Sequence, residues 1–317
     1  MSIIIPSNVQ FIEDIDVSKL KWDELCMNPS ESMAELLEAN LDKINWKKLL
    51  TNGSASAGEV IIRHIDKVID IDNWDKFCAN PLAIPYLKQY PTNINWYWLL
   101  LNPNPEALDI IMAMPHKINW AVFSSNPISV RFLKEHPERI LWHHFASIST
   151  PEAIEVIREN LHQFIEPNTD DPSKEHKIYN FWKALSSNPS AIDILETYPE
   201  RICWLELSKN PNAVHLLKEN TGRINWAHLH FNPNPEAMEL FEANPTKINW
   251  EKLSKKPYAL GLLERNPDKI KWKRLCANPE GLTLFMSINS KQKRRYWGEL
   301  SSNPDIFVKN PYDYVLK

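Results

Sequence analysis

Glycine is scarce in this chain, six residues in 317, and an all-β architecture built on many tight turns is disfavoured by that alone. Cysteine is limited to four residues, with neither a CxxC pair nor a close cluster. Three of them, Cys26, Cys78 and Cys276, fall in the matching contexts "LCMNP", "FCANP" and "LCANP", where other copies of the phrase carry serine, and Cys203 replaces the Asn of "INW". That register predicts small packing residues and free thiols in a reducing compartment, not disulfides or zinc ligands. No apolar run reaches about 18 residues, so no membrane span is expected. The opening "MSIIIPSNVQFIEDID" has no basic n-region, so no secretory signal is expected either.

Catalytic signatures are also missing. There is no G-x-S-x-G, no H-E-x-x-H, no phosphate loop and no Gly-rich dinucleotide turn. His143-His144 and His228-x-His230 are the closest histidine groupings, and neither has a third ligand at metal spacing, so they read as surface histidines. Carboxylates fall at variable solvent positions. The reading is a non-enzyme without cofactor or metal.

What the chain has in quantity is proline, 24 residues, and tryptophan, 13. Taking Trp22, Trp46, Trp74, Trp96, Trp120, Trp142, Trp182, Trp204, Trp226, Trp250, Trp272 and Trp297 as anchors, the gaps are 24, 28, 22, 24, 22, 40, 22, 22, 24, 22 and 25 residues. Each unit reads I-N-W-x-x-L-S-x-N-P-x-A-x-x-L-L-E-x-N-P-x-K. The Asn of "INW" is a good helix N-cap, and a short helix of about two turns then sets Trp and Leu on one face. In most units Asn-Pro follows, with Pro at the first position of a second helix, where its missing N–H costs nothing. That helix carries apolar residues at i, i+3 and i+4, as Ala213, Leu216 and Leu217 do in "PNAVHLLKEN".

Neither helix is stable alone, since isolated helices below about 12 residues are marginal in water. Burying one Trp of about 150 to 250 Å² gives roughly 4 to 6 kcal/mol gross per unit, and stacking neighbours is the way to bury it. The expected fold is therefore all-α, an α-solenoid of about twelve helix-pair repeats of 22–25 residues. Leucine-rich, ankyrin and tetratricopeptide periods and signatures do not fit. The expected layout is an N-terminal cap over 1–20, repeats one to six over 21–161, an insertion over 162–178, and repeats seven to twelve with a C-terminal cap over 179–317.

Copies such as "NPNAVHLLKENTGRINWAHLHFNP" and "NPEAMELFEANPTKINWEKLSKKP" resemble the Asn-Pro/Ile-Asn-Trp repeat proteins encoded in multiple copies by giant viruses, the nucleocytoplasmic large DNA viruses. The resemblance spans roughly residues 20–310. It implies a viral protein acting in an infected eukaryotic cell, in the host cytoplasm or the virion, and it carries no catalytic residues with it.

Departures from the repeat are the places to look for function, because stacking does not demand them. The segment "HQFIEPNTDDPSKEHKI", 162–178, reads as a polar insertion, either a solvated loop or a hinge and partner-binding loop. "TNGSASAGE", 51–59, reads as a flexible connection. Just after each anchor Trp the residues are mostly polar, but three consecutive units carry Tyr97 and Trp98, Ala121 and Val122, and His143 and His144. A partner-binding surface at Tyr97, Trp98, Val122, His143 and His144 is one reading, and internal packing the other.

Charge divides unevenly. Residues 1–200 hold 17 Lys+Arg against 28 Asp+Glu, and 201–317 hold 19 against 12, or about −11 and +7. A basic patch of Lys269, Lys271, Lys273, Arg274, Lys291, Lys293, Arg294 and Arg295 is the candidate for nucleic-acid contact. No recurring position offers a base-by-base code. The expected function is a non-catalytic scaffold for a viral or host protein partner, with RNA or ribonucleoprotein contact and a structural role in the virion as alternatives.

Overall fold

A computed structural model describes residues 3–7, 9, 11, 17–69, 71, 74–165, 172–288, 293, 295–303 and 306. Among them the chain is an all-α repeat solenoid with no strand. One repeat shows how. Cys203 precedes a first helix of a single turn, Trp204–Leu207, which is shorter than the sequence suggests. Asn210 then caps a 3-10 turn, Pro211–Ala213, that runs into the second helix, Val214–Glu219. A further 3-10 turn, Thr221–Arg223, leads through extended Ile224 into the next repeat, where Asn225 caps Trp226–Leu229 by accepting from the amide of His228.

What the sequence did not suggest is how the repeats are joined. The Asn of Asn-Pro caps its own 3-10 turn through Oδ1, and its amide group reaches back to two main-chain carbonyls of the preceding repeat. Asn210 donates from Nδ2 to Ser186 O at 3.1 Å and Asn188 O at 3.0 Å. Asn232 does the same to Ser208 O and Asn210 O. A second joint lies at the Ser/Cys position four residues after the anchor Trp. Ser208 Oγ donates to Trp204 O and accepts the amide of Asn225 in the next repeat. Cys276 Sγ donates to Trp272 O, and Cys78 Sγ accepts the amide of Asn95. The thiols are free, three of them buried, and burial, followed by the Glu299 charge, pushes Cys276 up to about 12. The same position in the repeat of Trp226 is held by His230, which is 2% exposed with Nδ1 2.6 Å from Trp226 O. It is a buried structural residue, where the sequence suggested a surface one.

The fold falls into two compact units. Unit 2, Leu99–Ile248, contains the insertion and is joined by the bonds of Asn126, Asn188, Asn210 and Asn232. Unit 1 combines two distant stretches of chain, Met1–Trp98 and Asn249–Lys317. Asn52, Asn278 and Asn303 make its corresponding bonds.

Three expectations change. The anchor tryptophans are not uniformly core. The Leu three residues on is fully buried in regular repeats (Leu49, Leu99, Leu207, Leu229), while the indole is half-buried in nine of the anchors. A cation from the 3-10 turn that closes the same repeat lies over several of these indoles: Lys43 over Trp22 at 5.5 Å, Arg139 over Trp120 at 5.0 Å and Arg223 over Trp204 at 5.2 Å. That contact gives a physical reason for the recurring basic residue, at about 0.5–1 kcal/mol each.

The insertion is helical on both sides of the undescribed residues 166–171. Its second part begins a long helix, Pro172–Ser186, whose Ile178, Phe181, Trp182 and Leu185 recur at helical spacing and are buried. Phe164, on the short helix His162–Ile165, stacks on Phe181 at 3.9 Å, and Trp182 donates its indole N–H to Phe164 O at 3.0 Å. The segment 51–59 is no flexible connection. Ser54 caps the helix Ala55–Arg63 by accepting from Ala57, and its small residues let neighbours approach: a Cβ on buried Gly58 would stand 2.9 Å from Asn80 Nδ2.

Candidate functional site

The edge formed by the one-turn first helices is where successive repeats differ most. The residues flanking the anchor Trp lie here, and they meet their counterparts in the next repeat. Asn45, just before Trp46, donates to Asp23, just after Trp22, at 2.9 Å. Arg274 grips Glu251 through Nε and Nη2, at 2.9 and 2.7 Å. In four repeats of unit 1 this edge is charged and solvated, with Asp23, Glu24, Lys47, Lys48, Glu251, Lys252, Lys273 and Arg274 all exposed.

In unit 2 the edge turns apolar. Ala121 and Val122 are half-buried on the helix Trp120–Phe123. His143 is exposed and His144 half-buried on Trp142–Phe145, with their rings 4.2 Å apart. Leu141 precedes Trp142 where six other repeats place Asn. It cannot cap, its side chain is 39% exposed, and its amide makes the usual inter-repeat bond to Ser124 Oγ at 3.0 Å. The register of Asn45 on Asp23 sets Leu141 beside Ala121. The long helix Pro172–Ser186 packs against Trp142–Phe145 and leaves Tyr179 57% exposed. Leu141 and Tyr179 are the residues that reading positions after the Trp misses; the loss of Asn from "INW" at 141 was the available signal.

Burial, then the neighbouring charges of His144 and His176, holds His143 below the usual histidine pKa. A depressed folded value means the folded state binds fewer protons than the unfolded chain, so this contribution is complete above about pH 6.5 and is lost as pH falls through the folded value. Unfolding midpoints of the native chain should therefore drop between about pH 7.5 and about pH 5, and His143→Gln should flatten part of that drop. An unchanged slope in the variant would assign the drop to other groups.

In unit 1 the sequence-derived pair Tyr97 and Trp98 stands on the helix beginning at Trp96. Tyr97 is 53% exposed, its ring edge-on to Trp98 at 5.4 Å, and Lys76 lies over the Trp98 ring at 6.0 Å. Three of the basic candidates of this unit pair with carboxylates: Lys269 with Asp268 at 2.9 Å, Lys273 with Glu299 at 3.8 Å, and Arg274 with Glu251. Lys271 and Arg295 are exposed and Lys293 is half-buried. Lys291 and Arg294 lie outside the described residues.

Among the described residues no three His, Cys, Asp or Glu side chains converge as a metal site, and no helix is long and apolar enough to cross a membrane. No protein family, curated protein or solved structure compared with the chain matches it.

Proposed function

We propose that this chain is a non-catalytic repeat scaffold that holds a protein partner on the first-helix edge of unit 2, centred on Val122, Leu141, His143, His144 and Tyr179. The observation that carries the reading is the exposure of Leu141 on an edge that is charged in four repeats of unit 1, and of Tyr179 on the long helix packed against Trp142–Phe145. Exposed apolar and aromatic groups of this kind are the usual anchors of protein interfaces. Tyr97 and Trp98 give unit 1 an aromatic contact of its own. The setting implied by the resemblance to giant-virus repeat proteins is the cytoplasm of an infected eukaryotic cell or the virion, with a viral or host protein as partner.

Nucleic acid is the second reading, carried by the basic residues of 269–295, and the ion pairs at Lys269, Lys273 and Arg274 weigh against it. The test is capture from infected-cell lysate with and without nuclease. The expected result is one set of proteins in both arms, retained as salt is raised and lost with Leu141→Glu. Loss on nuclease treatment, with a steep fall in rising salt, would favour the basic residues instead. Retention unaffected by Leu141→Glu would remove the unit 2 edge.

A further inference from the structure

Within unit 1 the first and last repeats are joined in the register of consecutive repeats. Asn28 donates from Nδ2 to Ser301 O at 3.1 Å and Asn303 O at 3.0 Å, across 273 and 275 residues of sequence. These are the positions that Asn210 and Asn232 use on the repeats before them. The serine joint is reproduced as well: the amide of Lys21 donates to Ser301 Oγ at 2.8 Å, as that of Asn225 does to Ser208 Oγ at 2.9 Å. An ion pair from Lys21 to Glu299 at 3.5 Å completes the seam, and Lys273 approaches the same carboxylate at 3.8 Å. Leu25 and Leu300 are buried in these two repeats.

A solenoid end ordinarily needs a polar capping repeat to keep its last face in solution. Here each terminal repeat covers the other. The seam differs from the other joints in one respect: no short stretch of chain links its two sides. It can therefore part while both repeats stay attached to their covalent neighbours, and the faces then uncovered are complementary to each other in any copy of the chain.

We propose that the seam between the first and last repeats is a self-recognition surface, satisfied within one chain in the monomer and able to join two copies by exchange. The occupant is a second copy of this chain, because the Asn28, Ser301 and Lys21–Glu299 contacts form identically in cis or in trans. The cis form prevails at low concentration because tethering gives its two faces an effective concentration on the order of millimolar. Exchange of identical contacts is a low-cost route to dimers.

The test uses two full-length chains, Lys21→Glu and Glu299→Lys. Lys21 is largely exposed and Glu299 partly so, so both variants keep their packing. Each places like charges across its own seam, whereas each seam of a mixed pair brings opposite charges together. The chains are unfolded together, refolded at about 0.1 mM, below the tethered effective concentration so that trans pairing must be favoured by charge, and weighed by native mass spectrometry. The expected result is a one-to-one heterodimer outnumbering either homodimer about tenfold, from several surface charge contacts of modest individual worth. A mixture that contains monomers alone, or dimers in statistical proportion, overturns the proposal.

Discussion

Trp182→Ala should cost about 4 kcal/mol, and Trp250→Ala about 2 kcal/mol or less, although the two residues hold the same place in the repeat. Trp182 is 3% exposed, packs edge-on to Phe181 at 5.7 Å and against Tyr198 at 5.6 Å, and donates to Phe164 O. Its removal leaves a cavity and an unpaired buried carbonyl. Trp250 is half-buried, so part of its surface is already in water and less transfer energy is lost. Trp74, 2% exposed and donating to Val68 O, should behave like Trp182. Denaturant unfolding of the three variants checks this, with hydrogen exchange assigning each loss to its own repeats because arrays need not unfold in one step. Equal losses at 182 and 250 would mean that the insertion does not cover Trp182.

Asn210→Asp should be nearly as severe, on the order of 4 kcal/mol, though it changes no volume. The carboxylate can still accept from the amide of Asn212, so the 3-10 turn keeps its cap. It can no longer donate to Ser186 O and Asn188 O, and it sets a negative charge against two carbonyls at a fully buried position. Asn212→Asp is the control. Asn212 also donates to a carbonyl of the previous repeat, Pro189 O at 2.9 Å, but from an exposed side chain, and its loss should stay within about 1 kcal/mol. Thermal unfolding distinguishes the two, and a similar midpoint shift in both would assign the joint to apolar stacking instead.

The period, the helix pairs, the Asn caps and the Pro positions could all be read from the sequence because each is a local preference of a few residues. The joints between repeats could not. Asn28, Asn210 and Ser208 act on carbonyls and amides of another repeat, and nothing in a single unit distinguishes a capping Asn from one that also bridges. The pairing of the first repeat with the last was hidden for the same reason, since it lies 273 residues apart in sequence. The helix Pro172–Ser186 was in principle visible: Ile178, Phe181, Trp182 and Leu185 have helical spacing, but the polar residues before them draw the eye to a loop. At the candidate site, reading the positions just after each Trp found Val122 and His144 but passed over Leu141, which stands on the other side of its Trp, and Tyr179, which stands on the long helix that begins within the insertion.

These irregularities fit one division of labour. Regular repeats supply joints that are interchangeable along the chain, and the places where the pattern breaks supply surfaces that stacking does not require. In unit 2 the two coincide: the insertion packs against the helix that carries His143 and His144, and the apolar edge lies beside it. Lys174, Lys177 and Lys183 are spread along the same long helix. Lys134 and Lys218 stand on second helices instead, Val130–Glu135 and Val214–Glu219, each paired with a glutamate of another helix.

The most direct test is therefore cross-linking mass spectrometry of the captured complex with a lysine-reactive reagent. The account predicts that partner cross-links concentrate on Lys174, Lys177 and Lys183 and fall away in the Leu141→Glu chain. Cross-links concentrated on Lys134 and Lys218, unchanged by that substitution, would contradict it.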